Sequence, residues 1–176
     1  MSASWKTEFG SNFTIKWQER AVQVKGSAAV ASTVTQTVGA IGYIDYSYVV
    51  QDQLVYAKLK NREGKFVAPD AAGFASALEH SGWKTKAAFE EMLTDKPGAR
   101  SWPITMGTFV ILPQIAGKPE NTISALKFFT WAFLKGDEIV NGTNFVRLPD
   151  RIQARIYGDL TKIMDKNGKQ LQWAML

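Results

Sequence analysis

Apolar positions along this chain switch between short unbroken or alternating runs and a spacing of three to four residues, and each switch marks an element boundary. Residues 38–61 show this most clearly. Residues 40–44, entered through Gly39 and left at Asp45, form a short apolar run with β-formers, which predicts a strand buried on both faces. Asp45 is placed to cap a short helix over 46–51, and 54–59 alternates as the next strand, giving a β-α-β step. Gly42 offers no side chain to pack, so a helix backbone is expected close against it.

The same reading extends in both directions. Residues 1–9 read as the last turns of a helix whose beginning is missing, closed by Gly10. Short alternating strands are expected over 13–17 and 21–25, and Gly26-Ser27 opens a helix through Val30, Ala31 and Val34 that Gly39 ends. Residues 61–65 form a turn around Glu63-Gly64, and Pro69-Asp70 starts a helix with Phe74 and Leu78 on one face, stopped by Ser81-Gly82. A further helix is expected over 85–94, with Phe89 and Leu93, before the break at Lys96-Pro97-Gly98. Residues 101–113 return to extended structure.

The strongest helix runs over 122–135, after Lys118-Pro119 with Asn121 as cap, and ends at Gly136. Ile123, Leu126, Phe129, Thr130 and Phe133 fill one face while Ala125, Phe128 and Ala132 widen it, which predicts a largely buried helix. Asn141-Gly142 marks a turn, 145–148 a short strand, and Pro149-Asp150 begins a helix through Ile152, Ile156, Leu160 and Ile163, closed by Asn167-Gly168. Helices and strands alternate throughout, without internal repeats, so the fold class is α/β.

The run Gly39-Ala40-Ile41-Gly42-Tyr43-Ile44-Asp45-Tyr46-Ser47-Tyr48 resembles a segment of the periplasmic phosphate-binding proteins, the substrate-binding subunits of phosphate ABC importers. The resemblance continues through Leu59-Lys60-Asn61-Arg62-Glu63-Gly64, Trp102-Pro103-Ile104-Thr105, Thr108-Phe109-Val110-Ile111-Leu112, Leu126-Lys127-Phe128-Phe129-Thr130-Trp131-Ala132 and Val146-Arg147-Leu148-Pro149-Asp150. It covers nearly the whole chain but only the C-terminal half of such a protein. It implies incomplete lobes of the type II periplasmic-binding-protein kind, with mixed sheets flanked by helices. Residues 1–104 would belong to the second lobe, 105–108 to a hinge crossover that Gly107 could serve, and 109–176 to the first lobe. It also implies inorganic phosphate as ligand and an ABC permease as partner of the complete protein, in the periplasm or outside the cell.

Composition narrows the chemistry. The chain has 176 residues, enough for one domain, with 45% hydrophobic, 12% aromatic and 21% charged residues, an ordinary globular mix. No run approaches the length of a membrane helix, and residues 1–10 lack the regions of a signal peptide. With no cysteine and one histidine, disulfides, thiol chemistry and a His-rich metal site are excluded. The net charge of +5 is spread over Lys58, Lys60, Arg62, Lys65, Lys84, Lys86, Arg147, Arg151 and Arg155 without a dense basic run, so no nucleic-acid partner is expected.

Single residues offer little catalytic promise. His80 falls at a helix end, where the dipole stabilises an imidazole. Glu90 and Glu91 are adjacent, point about 100° apart on a helix, and read as solvated. Asn12-Phe13-Thr14 and Asn141-Gly142-Thr143 fit a glycosylation pattern that stays silent in a bacterial-looking protein. Lys25-Gly26-Ser27 brings backbone N–H groups, a hydroxyl and an ammonium together at a helix start, which suits an anion, but Ser27 is expected simply to cap the helix. In the resembling family the ligand is held by an Arg, an Asp and a Ser-Gly-Thr run that lie upstream of the point matching Met1, so no ligand-binding residue carries over. No catalytic, metal or cofactor site is expected, and the chain reads as a non-enzyme.

The first reading is therefore the solute-binding component of a phosphate importer, lacking its main ligand motifs and binding phosphate weakly or not at all alone. The second is a self-associating structural or interaction module of the same origin. In either case apolar residues between 104 and 133 lose their expected covering, so a homo-oligomer is expected.

Overall fold

In the computed structural model, residues 3–10, 14–83, 89–141 and 143–173 are described. Chain contacts divide it into two compact units, Met1–Asp45 and Tyr46–Leu176.

The first unit contains α1 (Ala3–Glu8) and α2 (Ser27–Gln36) joined by irregular chain. Gly10 takes a left-handed φ of 66° and donates its N–H to the Trp5 carbonyl, which ends α1 where the sequence placed its close. The strands expected over 13–17 and 21–25 do not form in the described residues. Rings link up instead: Trp5 packs on Phe9 at 4.5 Å and edge-on to Trp17 at 6.4 Å, and Trp17 stacks with Tyr43 at 6.3 Å. Ala31 is the one buried residue among those described here.

The strand expected over 40–44 is also absent. Those residues carry no regular secondary structure, and Ile41 is 96% exposed and Tyr43 76%. No backbone hydrogen bond joins 41–44 to another segment among the described residues. The pattern describes a strand buried on both faces, and such a strand exists only when neighbours complete its ladder. The expectation at Gly42 fares better. A Cβ there would lie 2.7 Å from Val30 Cγ1 and 2.9 Å from Val34 Cγ2, so α2 does press on it, with side chains rather than backbone.

The second unit opens with α3 (Tyr46–Gln51), then the antiparallel pair β1 (Leu59–Lys60) and β2 (Phe66–Val67), in register Leu59 with Val67 and Lys60 with Phe66. Only the end of the strand expected over 54–59 pairs. Gly64, at φ 75°, makes the connecting turn possible and donates to the Asn61 carbonyl at 2.9 Å. Helix α4 (Ala71–Glu79) starts as expected, because the Asp70 carboxylate accepts the Gly73 N–H at 2.6 Å. Residues 84–88 of the helix expected over 85–94 lie outside the described residues, and 89–94 form turns rather than helix.

No strand forms over 101–113 or 145–148. The next strand is β3 (Ile115–Ala116), parallel to β4 (Met164–Asp165). Between them come α5 (Pro119–Lys135), α6 (Asp137–Asn141) and α7 (Asp150–Leu160). α5 starts three residues before the expected 122, with Pro119 in its first turn and Lys118 as N-cap, so Asn121 lies inside the helix rather than capping it. Leu160 ends α7, short of Ile163.

Two clusters form the core of this unit. Leu126, Leu160, Ile163, Leu171 and Ala116 make one; Leu78, Trp83, Leu93 and Ile152 make the other, and Ile156 packs against both. The second cluster draws on chain from both sides of residues 105–108. α5 is less buried than expected: Leu126 and Thr130 are enclosed, and Trp173 Nε1 donates to Thr130 Oγ1 at 3.1 Å, but Phe128, Trp131 and Leu134 are exposed. Successive members of that set are three positions apart, so they lie along one side of the helix as an uncovered apolar stripe.

Candidate functional site

Lys25, Gly26 and Ser27 do not converge into a pocket. α2 begins with Ser27, the N-cap is Gly26 at φ 84°, and no side-chain cap hydrogen bond forms. The expected capping role of Ser27 is thus overturned, because the positive φ that Gly26 alone tolerates puts the serine one position inside the helix. Lys25 and Gly26 are exposed, and nothing stands within 4 Å of a Cβ at Gly26.

His80 caps the C-terminus of α4 as anticipated. Its Nδ1 lies 2.7 Å from the Ser76 carbonyl, and its ring lies against Gly98, where an added Cβ would sit 2.9 Å away. The expectation for Glu90 and Glu91 divides. Glu90 is exposed, whereas Glu91 is only partly solvated and has partners: its Oε2 accepts the Gly82 N–H at 2.6 Å and its Oε1 pairs with Lys96. Its carbonyl also accepts the Trp83 indole N–H at 2.7 Å. The cause is the non-helical path of 89–94, which turns Glu91 back toward the end of α4. Asn12 and Phe13 lie outside the described residues, as does Gly142; Thr143 Oγ1 donates to the Val140 carbonyl at 2.8 Å.

The best-built polar cluster centres on Asn61, which is buried. Its Nδ2 faces the carbonyls of Gly98, Ala99 and Ser101 at 3.2, 3.1 and 3.4 Å, while its Oδ1 accepts the N–H groups of Glu63 and Lys65 at 3.1 and 3.0 Å. Ser101 Oγ donates to the Pro97 carbonyl at 2.6 Å and meets Ser76 Oγ at 2.9 Å. Every polar atom here is spent on another part of the chain, so the cluster fastens the 61–65 turn to the 97–101 loop and holds no ligand. The sequence marked the turn and missed the fastening; an asparagine opening a turn is the signal that pointed to it.

A second polar cluster centres on Arg147. Arg147 bonds Asp137 through Nε, Asp150 through Nη2 at 2.7 Å and the Leu148 carbonyl through Nη1 at 3.3 Å. The hydrogen bond to Asp137 first, and then that to Asp150, raise its pKa above the ordinary guanidinium value. Arg155 Nη1 is buried without a hydrogen-bond partner. Among the described residues no group of three or more acidic or histidine side chains could hold a metal ion, and no helix is long and apolar enough to cross a membrane. A cavity of about 470 Å³ in the first unit is lined by Trp5, Phe9, Trp17, Gln18, Arg20 and Ala21. Three of its lining residues, Trp5, Phe9 and Trp17, are aromatic, and Gln18 and Arg20 add polar groups.

No protein-family model matches the chain. It is 36% identical over 156 residues to the phosphate-binding protein PstS of Haemophilus influenzae, covering 89% of this chain and 46% of that protein. It is 34% identical over 172 residues to PstS of Pasteurella multocida, covering 97% and 50%, and 27% identical over 167 residues to PstS of Methanocaldococcus jannaschii, covering 86% and 43%. These likenesses put the chain among the α/β solute-binding proteins. Within that class it belongs to the phosphate-binding protein family, and it spans about half the length of the curated relatives it matches.

Proposed function

We propose that the chain supplies the C-terminal half of a phosphate-binding component of an ABC importer, located in the periplasm or outside the cell. In the whole assembly two lobes of the type II periplasmic-binding-protein kind close on inorganic phosphate and present it to a membrane permease. Residues 1–104 continue the second lobe, 105–108 cross between lobes, and 109–176 complete the first. The role is binding and delivery, not catalysis. The observation that carries this reading is the 36% identity to the Haemophilus phosphate-binding protein along 89% of the chain.

The test is a single-chain chimera in which the portion of the Haemophilus relative that this chain does not match is fused ahead of it. Calorimetry is expected to give phosphate binding at about micromolar Kd or tighter for the chimera, against about millimolar or weaker for this chain alone. A folded chimera without phosphate affinity would overturn the reading, and so would micromolar binding by the chain alone.

A second reading, a self-associating module with ligand binding lost, draws support from the exposed apolar side chains of α5 and of 106–111. It predicts homodimers or larger species at micromolar concentration. A stable monomer in sedimentation would exclude it.

A further inference from the structure

The β1–β2 hairpin has two unlike faces. Its register sets Leu59 opposite Val67 and Lys60 opposite Phe66. Partners across an antiparallel pair share a face, while neighbours along each strand alternate. Leu59 and Val67 are half-buried, whereas Lys60 is exposed and Phe66 is 70% exposed. Lys58, just ahead of β1, and Arg62 and Lys65, in the turn, are exposed as well. Asn61 fastens this turn to the carbonyls of Ala99 and Ser101, which brings the exposed Arg100 that lies between them to the same corner. Among the described residues no ion pair involves Lys58, Lys60, Arg62, Lys65 or Arg100. The acids nearby are occupied with backbone: Glu63 Oε1 accepts the Gly98 N–H at 3.4 Å, and Asp70 Oδ1 accepts that of Gly73 at 2.6 Å.

Unpaired cations by themselves describe a solvated surface. Here they surround a bare phenyl ring on a hairpin that a ladder and the Asn61 network already hold in place. A soluble polyanion would neutralise the cations and leave the ring in water. A lipid surface answers both, because phosphate headgroups face the cations while the ring moves into the boundary with the acyl chains. We propose that this corner docks the protein on an anionic lipid surface, with Phe66 entering the interface and Lys58, Lys60, Arg62, Lys65 and Arg100 facing the headgroups. Little order has to be gained on docking, since the hairpin is formed beforehand. The proposal does not depend on the phosphate role.

The experiment measures cosedimentation of the 176-residue chain with vesicles of phosphatidylcholine alone or mixed with phosphatidylglycerol. Binding is expected to be at least about tenfold tighter to the mixed vesicles and to weaken in high salt. The double variant Lys60→Glu, Arg62→Glu is expected to weaken it at least about tenfold. Lys166→Glu with Lys169→Glu, exposed positions after β4, makes the same change in net charge and is expected to leave binding within about twofold. Phe66→Ser is expected to weaken vesicle binding about fivefold and to leave binding to heparin, a soluble polyanion, unchanged. The chain has no cysteine, so Phe66→Cys accepts a single environment-sensitive dye, whose emission is expected to shift to the blue on mixed vesicles while a dye at Lys166→Cys does not. Equal binding to neutral and mixed vesicles would overturn the proposal, as would equal effects of the two charge-reversal pairs or a dye at 66 that stays in water. Vesicle binding indifferent to Phe66→Ser would overturn it too, and would assign the corner to soluble polyanions.

Discussion

The indole of Trp83 lies over Gly107, so that a Cβ at residue 107 would come 2.5 Å from Cη2 and 3.2 Å from Cζ2. Trp83 has little room to yield. It is 4% exposed, its Nε1 is bonded to the Glu91 carbonyl, and its ring meets Phe89 at 5.7 Å and Phe109 at 5.4 Å. Gly107→Ala is therefore expected to destabilise the chain by about 1 to 3 kcal/mol, the usual cost of forcing atoms into a packed site. Gly117→Ala, where nothing lies within 4 Å, is expected to cost nothing or to stabilise by up to about 1 kcal/mol. Urea midpoints of the two variants decide; equal midpoints would contradict the packing.

Asn61 joins the 61–65 turn to the 97–101 loop. Its replacement by alanine removes the donor facing three carbonyls and the acceptor of two backbone N–H groups, in a buried setting. The expected loss is about 2 to 3 kcal/mol, because stranded polar groups bear their desolvation penalty without a bond. Protease sensitivity should rise first at 96–101. A variant as stable and as resistant as the parent would show the network to be idle.

Of the two adjacent glutamates, only one is expected to matter. Glu91→Ala leaves the Gly82 N–H and the Lys96 ammonium without their partner and is expected to cost about 1 to 2 kcal/mol. Glu90→Ala, at an exposed position, is expected to stay within about 0.5 kcal/mol of the parent. Chemical denaturation of both distinguishes them, and the reverse order would refute the assignment.

Arg147 gives the sign of a pH effect. Its folded pKa is raised by Asp137 and then Asp150, so its contribution is complete below the unfolded guanidinium value and is lost only as pH climbs through the folded one. The difference in stability between the parent and Arg147→Met should be flat across roughly pH 6 to 9, below about 1 kcal/mol because the pair is partly exposed, and smaller in high salt. A marked slope in that range would point to another titrating group.

Local signals were legible in the sequence to a useful degree, and long-range ones were not. Asp70 as cap, Gly64 in a turn and Pro119 near a helix start each depend on chemistry within a few residues, and α4, the hairpin turn and α5 formed accordingly. The runs 40–44 and 54–59 read as strands, and 101–113 as extended structure, because their composition fits a buried sheet, but a ladder needs partners that composition does not supply. Where these runs carry no ladder hydrogen bonds among the described residues, the reading of strands outran the neighbours present. At the candidate site the lesson is the same. Ser27 was read from its residue type, while the φ of its neighbour Gly26 decided its position.

The Asn61 network also carries a consequence for the order of events in folding. The β1–β2 hairpin is a local structure, closed by a five-residue turn that takes microseconds to form in ordinary hairpins. The side-chain bonds to carbonyls in 97–101, however, span 37 to 40 residues of chain. Closing a loop of that size carries an entropic cost of about 3 kcal/mol. The same amide that holds the turn through its Oδ1 reaches across this gap through its Nδ2, so the hairpin gains full protection only when the distant loop arrives. Pulsed amide exchange should show Glu63 and Lys65 becoming protected together with Ser101 rather than ahead of it, a late cooperative step in an otherwise fast-forming corner of the molecule.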